Sequence, residues 1–161
     1  MADTRTVAVV RHAKSEWSDT LPDEERPLAA RGRRDAPAIG GWLAGNVGPV
    51  DLVVCSPAKR ARQTWQLASA GLDPEPRVRH DDRLYGADPA RLTTVLVELP
   101  EAIHTVVLVG HNPGLSDLVE LLSGARLELK TSAIAVLRWP GSWTDVESRS
   151  ASLTSHTTAR G

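Results

Sequence analysis

The stretch that most constrains the fold is Val7–Val10, a short uncharged run that ends in Arg11 and His12. A brief run rich in valine is typical of a strand that is buried inside a sheet. Strands of this kind occur in α/β proteins, whose ligands bind at the carboxyl ends of the parallel strands. Arg11 and His12 are therefore predicted at the edge of the sheet where a ligand binds.

Apolar runs and helical patterns alternate along the rest of the chain. Further strands are predicted at residues 51–55, 77–80, 105–109 and 133–139, and within 143–153. Helices are predicted from apolar spacing at residues 28–44, 57–70, 89–99 and 113–123. This alternation favours an α/β fold, a three-layer α/β/α sandwich with a mostly parallel central sheet. A single domain is predicted over residues 1–154, and a frayed tail over residues 155–161.

Three helix starts are predicted where a polar residue precedes a proline. These dipeptides are Ser56-Pro57, Asp88-Pro89 and Asn112-Pro113. In such a pair the polar side chain caps the helix, and the proline suits its first position. Pro37, by contrast, lies within the first predicted helix. Either it kinks that helix, or the helix begins near Asp35 with the proline in its first turn.

The composition narrows the possible partners and compartments. The 161 residues are 41% hydrophobic and carry a net charge of −1, which gives no support for charge-driven binding to nucleic acid or membranes. The single cysteine, Cys55, cannot form an intrachain disulfide, and no apolar stretch is as long as a membrane span. Residues 1–5 are not followed by the apolar core of a signal peptide. We expect a cytoplasmic monomer.

Two arginines and two histidines are predicted at the same edge of the sheet. Arg11 and His12 follow the first strand, Arg60 lies in the first turn after the second, and His111 follows the strand at 105–109. A cleft with these side chains and helix N-termini suits a phosphoryl group, because guanidinium groups match its oxygens. The sequence has no Gly-rich phosphate loop and no carboxylate cluster for Mg²⁺. A histidine can instead act as the nucleophile and form a phosphohistidine.

Three motifs resemble those of the histidine phosphatase superfamily, which includes the phosphoglycerate mutases. They are Arg11–Ser15, Ser56–Thr64 and Gly110–Pro113, and they occur in the order found in the family. Within the superfamily the chain looks most like the short bacterial phosphohistidine phosphatases of the SixA type. Residues 28–36 fit the first helix of those proteins and residues 131–135 fit a late strand, although Ala29 stands where the family has a capping threonine.

The resemblance implies a phosphoglycerate mutase-like fold and a phosphatase that works through a phosphohistidine at His12. It implies that the phosphoryl oxygens are bound by Arg11, Arg60 and His111. It also implies that the reaction needs neither a metal nor an organic cofactor.

Ser15, Asn112 and Asp82 are predicted to complete the site. Ser15 ends the first motif and Asn112 lies at a helix start, so both are predicted phosphate contacts. Asp82 lies in a segment that resembles the mutase stretch in which a glutamate donates the proton. It is either the general acid or a solvated turn residue.

The substrate is predicted from how little of the chain can cover the site. Only residues 15–27 and 81–88 are available as a roof, and an open site favours a phosphorylated protein over a small metabolite. Phosphohistidine is the preferred group, because its imidazole leaves with less help from an acid than an alkoxide does. A small phosphomonoester, a mutase reaction and a module that binds phosphate or phosphohistidine without turnover are the alternatives. A Cys-x5-Arg phosphatase does not fit, because the sixth residue after Cys55 is Ala61.

Overall fold

Six strands form one mixed sheet in the computed structural model, which describes residues 3–146 and 149–161. The strands are β1 (Thr4–Arg11), β2 (Leu52–Cys55), β3 (Arg77–His80), β4 (Thr105–Gly110), β5 (Ala133–Pro140) and β6 (Ser152–Thr158). The α-helices are α1 (Ala30–Asn46), α2 (Lys59–Ser69), α3 (Pro89–Val97) and α4 (Gly114–Ser123). Short 3₁₀ turns lie at Asp23–Glu25, Asp82–Leu84 and Trp143–Asp145. Among the described residues, no helix has the length and apolar character needed to cross a membrane.

The order of strands across the sheet is β3-β2-β4-β1-β5-β6. The first four strands in this order are parallel, whereas β5 runs antiparallel to both β1 and β6. The mostly parallel sheet is therefore confirmed. Because β2, β4 and β1 are neighbours, the residues that follow them meet at one edge of the sheet.

Helices cover both faces of this sheet. Val7 and Val9 of β1 pack with α3 and α4 on one face, and Ala8 and Val10 pack with α1 and α2 on the other. Successive strand residues point to opposite faces, so a strand between two helical layers needs apolar residues at every position. The three-layer α/β/α sandwich is confirmed.

Two helices begin later than their proline dipeptides predicted. α2 begins beyond Ser56-Pro57, and α4 begins beyond Asn112-Pro113. Ser56 Oγ accepts a hydrogen bond from the N–H of Ala58, and Asn112 Oδ1 accepts one from the N–H of Ser116. Both polar side chains therefore satisfy an N–H near a helix start, although neither is the residue next to the helix.

The other two helix starts are closer to the prediction. Asp88 caps α3 by accepting a hydrogen bond from the N–H of Arg91 at 2.8 Å. α1 continues through Pro37, so the alternative in which it begins near Asp35 is wrong. Ala29 precedes α1 without a side-chain cap, as expected from the missing threonine.

The predicted frayed tail is wrong. Residues 155–158 belong to β6, which pairs with β5 at the edge of the sheet. After the strand, Arg160 and the N–H of Gly161 both donate to the carboxylate of Asp35 in α1. An edge strand with one exposed face can be made of serine and threonine, and β6 therefore lacks the apolar run that identifies a buried strand. Residues 1–2, at the predicted N-terminal end, and residues 147–148, within the stretch predicted to hold the last strand, lie outside the described residues.

Candidate active site

The carboxyl ends of β1, β2 and β4 bring three polar side chains together. His12 follows β1, Ser56 follows β2 and His111 follows β4. The ring centroids of His12 and His111 are 5.1 Å apart, and Nε2 of His111 lies 2.7 Å from Ser56 Oγ. The strand order thus places the two predicted histidines side by side.

His12 is buried, and its ring is held in one orientation. Nδ1 lies 2.7 Å from the carbonyl oxygen of Ala13, which can only accept, so Nδ1 carries the proton and Nε2 is unprotonated. The lone pair of Nε2 accepts a long hydrogen bond, 3.4 Å, from Nε of Arg60. Burial lowers the pKa of His12 to about 3, against the opposing effect of the Ala13 hydrogen bond. The imidazole is therefore neutral near pH 7.

Thr64 connects the helix that carries Arg60 to the residue after His12. One turn after Arg60 on α2, the Thr64 hydroxyl donates to the carbonyl oxygen of Arg60 at 2.7 Å and accepts from the N–H of Ala13 at 3.0 Å. Arg60 and Thr64 are both buried. Sequence reasoning did not select Thr64, although its spacing of four residues from Arg60 marks the same helix face.

His111 is the second neutral histidine. Burial, followed by the charge of Arg60, lowers its pKa to about 4. Nε2 of His111 and Ser56 Oγ share a hydrogen bond in which the donor depends on the ring tautomer, because the hydroxyl can accept from Ala58 and still donate or accept once more. Nδ1 of His111 is buried and has no hydrogen-bond partner in the described part of the chain. The ring of Tyr85 packs edge-on against the imidazole, with centroids 5.4 Å apart.

Arg11 and Asn112 both hold the loop that precedes β5. Nη1 of Arg11 and Nδ2 of Asn112 donate to the carbonyl oxygen of Leu129, at 2.8 Å and 2.7 Å. Oδ1 of Asn112 accepts from the N–H and the hydroxyl of Ser116. These bonds give Asn112 a structural role, and its phosphate contact stays a prediction. Arg11, in contrast, keeps a buried Nε with no hydrogen-bond partner among the described residues.

Ser15 and Asp82 are not brought to the two histidines. The Ser15 hydroxyl accepts from Nη1 of Arg26 at 3.2 Å, and Ser15 forms an isolated bridge with Leu28 that closes the base of the loop at 16–27. Asp82 is exposed, and its side chain makes no hydrogen bond or ion pair with any described residue. The structure thus gives Ser15 a role in the loop, and Asp82 fits the alternative of a solvated turn residue.

Asp23 is the carboxylate that lies against Arg60. Its Oδ2 accepts from Nη2 of Arg60 at 2.9 Å and from the Tyr85 hydroxyl, and its Oδ1 accepts from Nε of Arg26 at 3.0 Å. These hydrogen bonds, that of Tyr85 first, hold the pKa of Asp23 well below its usual range. Sequence reasoning missed Asp23 and Tyr85, because both lie in loops without apolar periodicity. The available signal was an acidic run ending in arginine at residues 23–26.

Cys55 lies at the end of β2 but takes no part in this cluster. Its side chain is fully buried, and burial raises the pKa of the thiol to about 12. The thiol therefore stays protonated, as expected for a small buried strand residue. Among the described residues, no group of three or more His, Cys, Asp or Glu side chains is placed to hold a metal ion.

Sequence comparison gives relatives that share nearly the whole chain. An uncharacterized protein of Mycobacterium tuberculosis is 43% identical over 155 residues, which cover 89% of this chain and 96% of that protein. An uncharacterized chloroplastic protein of Arabidopsis thaliana is 31% identical over 157 residues, covering 87% of this chain and 69% of that protein.

Structural comparison gives the same fold. A Nakamurella multipartitia structure assigned as a phosphohistidine phosphatase SixA has a TM-score of 0.88 and 31% identity, and the match covers 98% of both chains. The protein histidine phosphatase SixA complexed with tungstate has a TM-score of 0.82 at 24% identity, covering 95% of this chain and 96% of that one. The family model described as histidine phosphatase superfamily (branch 1) matches residues 7–89, which include the first two motifs. This chain therefore belongs to the histidine phosphatase superfamily.

Proposed function

We propose that this protein is a metal-independent phosphatase that works through a covalent phosphohistidine at His12. The observation that carries the proposal is the hydrogen bond from Nδ1 of His12 to Ala13, which leaves Nε2 unprotonated, with only a long hydrogen bond of 3.4 Å from Nε of Arg60 on its lone pair. A neutral imidazole with one unprotonated nitrogen in a cationic cleft is a suitable nucleophile for phosphorus. Membership of the histidine phosphatase superfamily supports the same assignment.

The proposed reaction has two steps. In the first, Nε2 of His12 attacks phosphorus in line, and the N–P bond forms as the bond to the leaving group breaks. Arg11, Arg60 and His111 stabilise the charge on the equatorial oxygens. In the second step a water molecule attacks phosphorus, the N–P bond breaks, and inorganic phosphate leaves as one water proton passes to solvent.

Two buried nitrogens without partners support this role for the phosphoryl group. Nε of Arg11 and Nδ1 of His111 are buried without a hydrogen-bond partner in the described part of the chain. Buried polar groups in folded proteins nearly always have a partner. Phosphoryl oxygens bound in front of His12 would supply an acceptor for Arg11, and for His111 in the tautomer that carries the proton on Nδ1.

The proposed substrate is phosphohistidine on another protein. An alkoxide leaving group needs a proton from a positioned acid. The Asp82 side chain makes no hydrogen bond or ion pair with the described residues, and Asp23 is ionised and paired with Arg60. The imidazole of phosphohistidine depends less on such an acid. Because neither carboxylate is placed to act as one, phosphohistidine is favoured as the substrate over an alkyl phosphate. The SixA assignment of the Nakamurella neighbour, at 31% identity, supports this choice.

Phosphate release tests the proposed chemistry. The wild type, His12→Ala and the matched variant His104→Ala are incubated with a phosphohistidine protein, with and without EDTA. His104 is exposed, and its imidazole lies 4.0 Å from Asp3, so its loss should leave the rate unchanged. We expect release that EDTA does not reduce and that disappears in His12→Ala. Turnover by His12→Ala, or abolition of wild-type turnover by EDTA, would contradict the proposal.

A comparison of substrates tests the leaving group separately. The value of kcat/KM is measured for a phosphohistidine protein, 3-phosphoglycerate, a sugar phosphate and p-nitrophenyl phosphate. We expect the phosphohistidine protein to give the highest value. A higher value for a small phosphomonoester would make the protein a phosphomonoesterase and would leave the role of His12 intact.

A further inference from the structure

Each of the three nitrogens of the Arg60 guanidinium donates one hydrogen bond within the protein. Its Nε faces His12, its Nη1 donates to the backbone carbonyl oxygen of Asp23 at 2.6 Å, and its Nη2 donates to the Asp23 carboxylate at 2.9 Å. A guanidinium binds oxyanions through paired N–H groups. Arg60 is 5% exposed, so little of its guanidinium is open to solvent. Asp23 therefore holds the two nitrogens that a phosphoryl group would use.

Asp23 belongs to a loop that polar contacts hold in place. The loop, residues 16–27, is closed at its base by the hydrogen bond from the N–H of Glu16 to the carbonyl oxygen of Pro27. None of its residues is buried, and Trp17 is 80% exposed. No residue of the loop belongs to an apolar core cluster. The segment that carries Asp23 can therefore move away from Arg60 at a small cost in free energy.

Asp23 and a phosphoryl group cannot both occupy Arg60. The backbone carbonyl oxygen of Asp23 takes Nη1 and its carboxylate takes Nη2, and a phosphoryl group on the same nitrogens would be repelled by that carboxylate at hydrogen-bond distance. The Tyr85 hydroxyl and Nε of Arg26 also donate to the Asp23 carboxylate, which stabilises the occupied arrangement. Binding of the phosphoryl group by Arg60 therefore requires that Asp23 leave.

We propose that Asp23 is an intramolecular competitor for Arg60 that lowers the affinity of the site for free oxyanions such as inorganic phosphate. The inference rests on the proposed function, because that function assigns Arg60 to the phosphoryl group. It has a consequence for turnover. When inorganic phosphate forms in the second step, the Asp23 carboxylate competes with it for Arg60. Product inhibition by phosphate is therefore weak.

The affinity for oxyanions tests the competition without turnover. The Kd values of inorganic phosphate and of tungstate are measured by calorimetry for the wild type, Asp23→Asn, Asp19→Asn and Arg60→Ala. Asp19 is the matched control, since it is an exposed aspartate of the same loop with no hydrogen bond or ion pair to a described residue. Both aspartate variants remove one negative charge, so their difference reports the contacts of the Asp23 carboxylate with Arg60, Tyr85 and Arg26 rather than the charge alone.

We expect Asp23→Asn to bind both oxyanions about fivefold more tightly than the wild type, in line with the loss of one partly exposed ion pair. Asp19→Asn should stay within about twofold, as for a surface substitution without contacts. Binding by Asp23→Asn that equals or falls below the wild type, or an equal gain in Asp19→Asn, overturns the competition alone. Arg60→Ala should lose most of the affinity, and unchanged binding in that variant would overturn both the competition and the proposed role of Arg60.

Discussion

Two halves of the site are built in different ways. The inner wall lies on strand ends and on the first turns of α2, and its members are at most 7% exposed. It consists of His12, Ser56, Arg60 and Thr64. The outer rim consists of residues 16–27 and 81–86, of which only Leu84 is buried. The wall is fixed by packing and the rim by polar contacts.

This difference separates chemistry from access. A nucleophile and its charge partners need fixed positions, because a small displacement of a transition-state donor reduces the rate severely. Access to the site needs parts that can move at a small cost in free energy. Changes in the wall should therefore reduce catalysis or stability, whereas changes in the rim should alter affinity or have little effect.

The largest effect is expected from the charged member of the wall. Arg60→Ala should reduce kcat/KM on the order of 10²-fold or more, the usual loss for one transition-state donor. Arg62→Ala is the matched control on the same helix, because Arg62 is exposed and donates only to the carbonyl oxygen of Pro57. Steady-state kinetics on p-nitrophenyl phosphate measure both variants. Equal losses would show that Arg60 has no special role.

A substitution in the inner wall that removes no charged group should lower the free energy of unfolding. Thr64→Val keeps the volume but leaves the buried N–H of Ala13 without its acceptor, which should lower the free energy of unfolding by about 1–3 kcal/mol. Thr94→Val is the control, since the Thr94 hydroxyl donates to Ala90 on an exposed helix face. Urea unfolding of both variants gives the comparison. A loss in Thr64→Val no larger than in Thr94→Val would mean that the connection to Ala13 adds nothing.

The two neutral histidines should make stability depend on pH. Their pKa values, about 3 for His12 and about 4 for His111, lie below the value of about 6.5 expected for an unfolded chain. The unfolded state therefore binds more protons as the pH falls below 6.5. The free energy of unfolding should then be lower at pH 5 than at pH 7, and nearly level above pH 7 with respect to these groups. Urea titrations measure it, and His111→Asn should show a smaller dependence. Equal stability of the wild type at pH 5 and pH 7 would contradict the burial of two neutral imidazoles.

The smallest effect is expected on the rim, at Asp82. Its side chain makes no hydrogen bond or ion pair with the described residues, so Asp82→Asn should change kcat/KM by less than about twofold. The measurement covers phosphohistidine protein and p-nitrophenyl phosphate. A large loss confined to the ester would restore Asp82 as the general acid for esters. An equal large loss on both substrates would show that an acid is needed throughout.

The wall was the part that sequence reasoning could predict. Val7–Val10 is apolar because both of its faces meet helices, and this burial fixes the position of His12 at the end of β1. Arg60 and His111 follow neighbouring strands in the same way. The three layers and the mostly parallel sheet followed from these elements, and the family followed from the resemblance of three motifs. Thr64 was missed, although its spacing from Arg60 was visible.

The rim could not be predicted in the same way. Asp23 contacts Arg60 because the path of its loop depends on polar contacts, including contacts between residues far apart in the chain. Such contacts produce no periodic pattern in the sequence. Asp82 was selected by its resemblance to a mutase segment, whereas Tyr85 of the same segment is the residue that contacts His111. The position of β6 was not predicted for a related reason, because an edge strand needs few apolar residues.

The covalent intermediate is the most direct test of the role of His12. The wild type is mixed with phosphohistidine protein or p-nitrophenyl phosphate, quenched in alkali, where phosphohistidine survives, and digested for mass spectrometry. We predict a phosphoryl group on the peptide that contains His12, formed and lost at rates that match turnover and absent from His12→Ala. A phosphoryl group on another residue, or full turnover with no phosphorylated His12, would contradict the account.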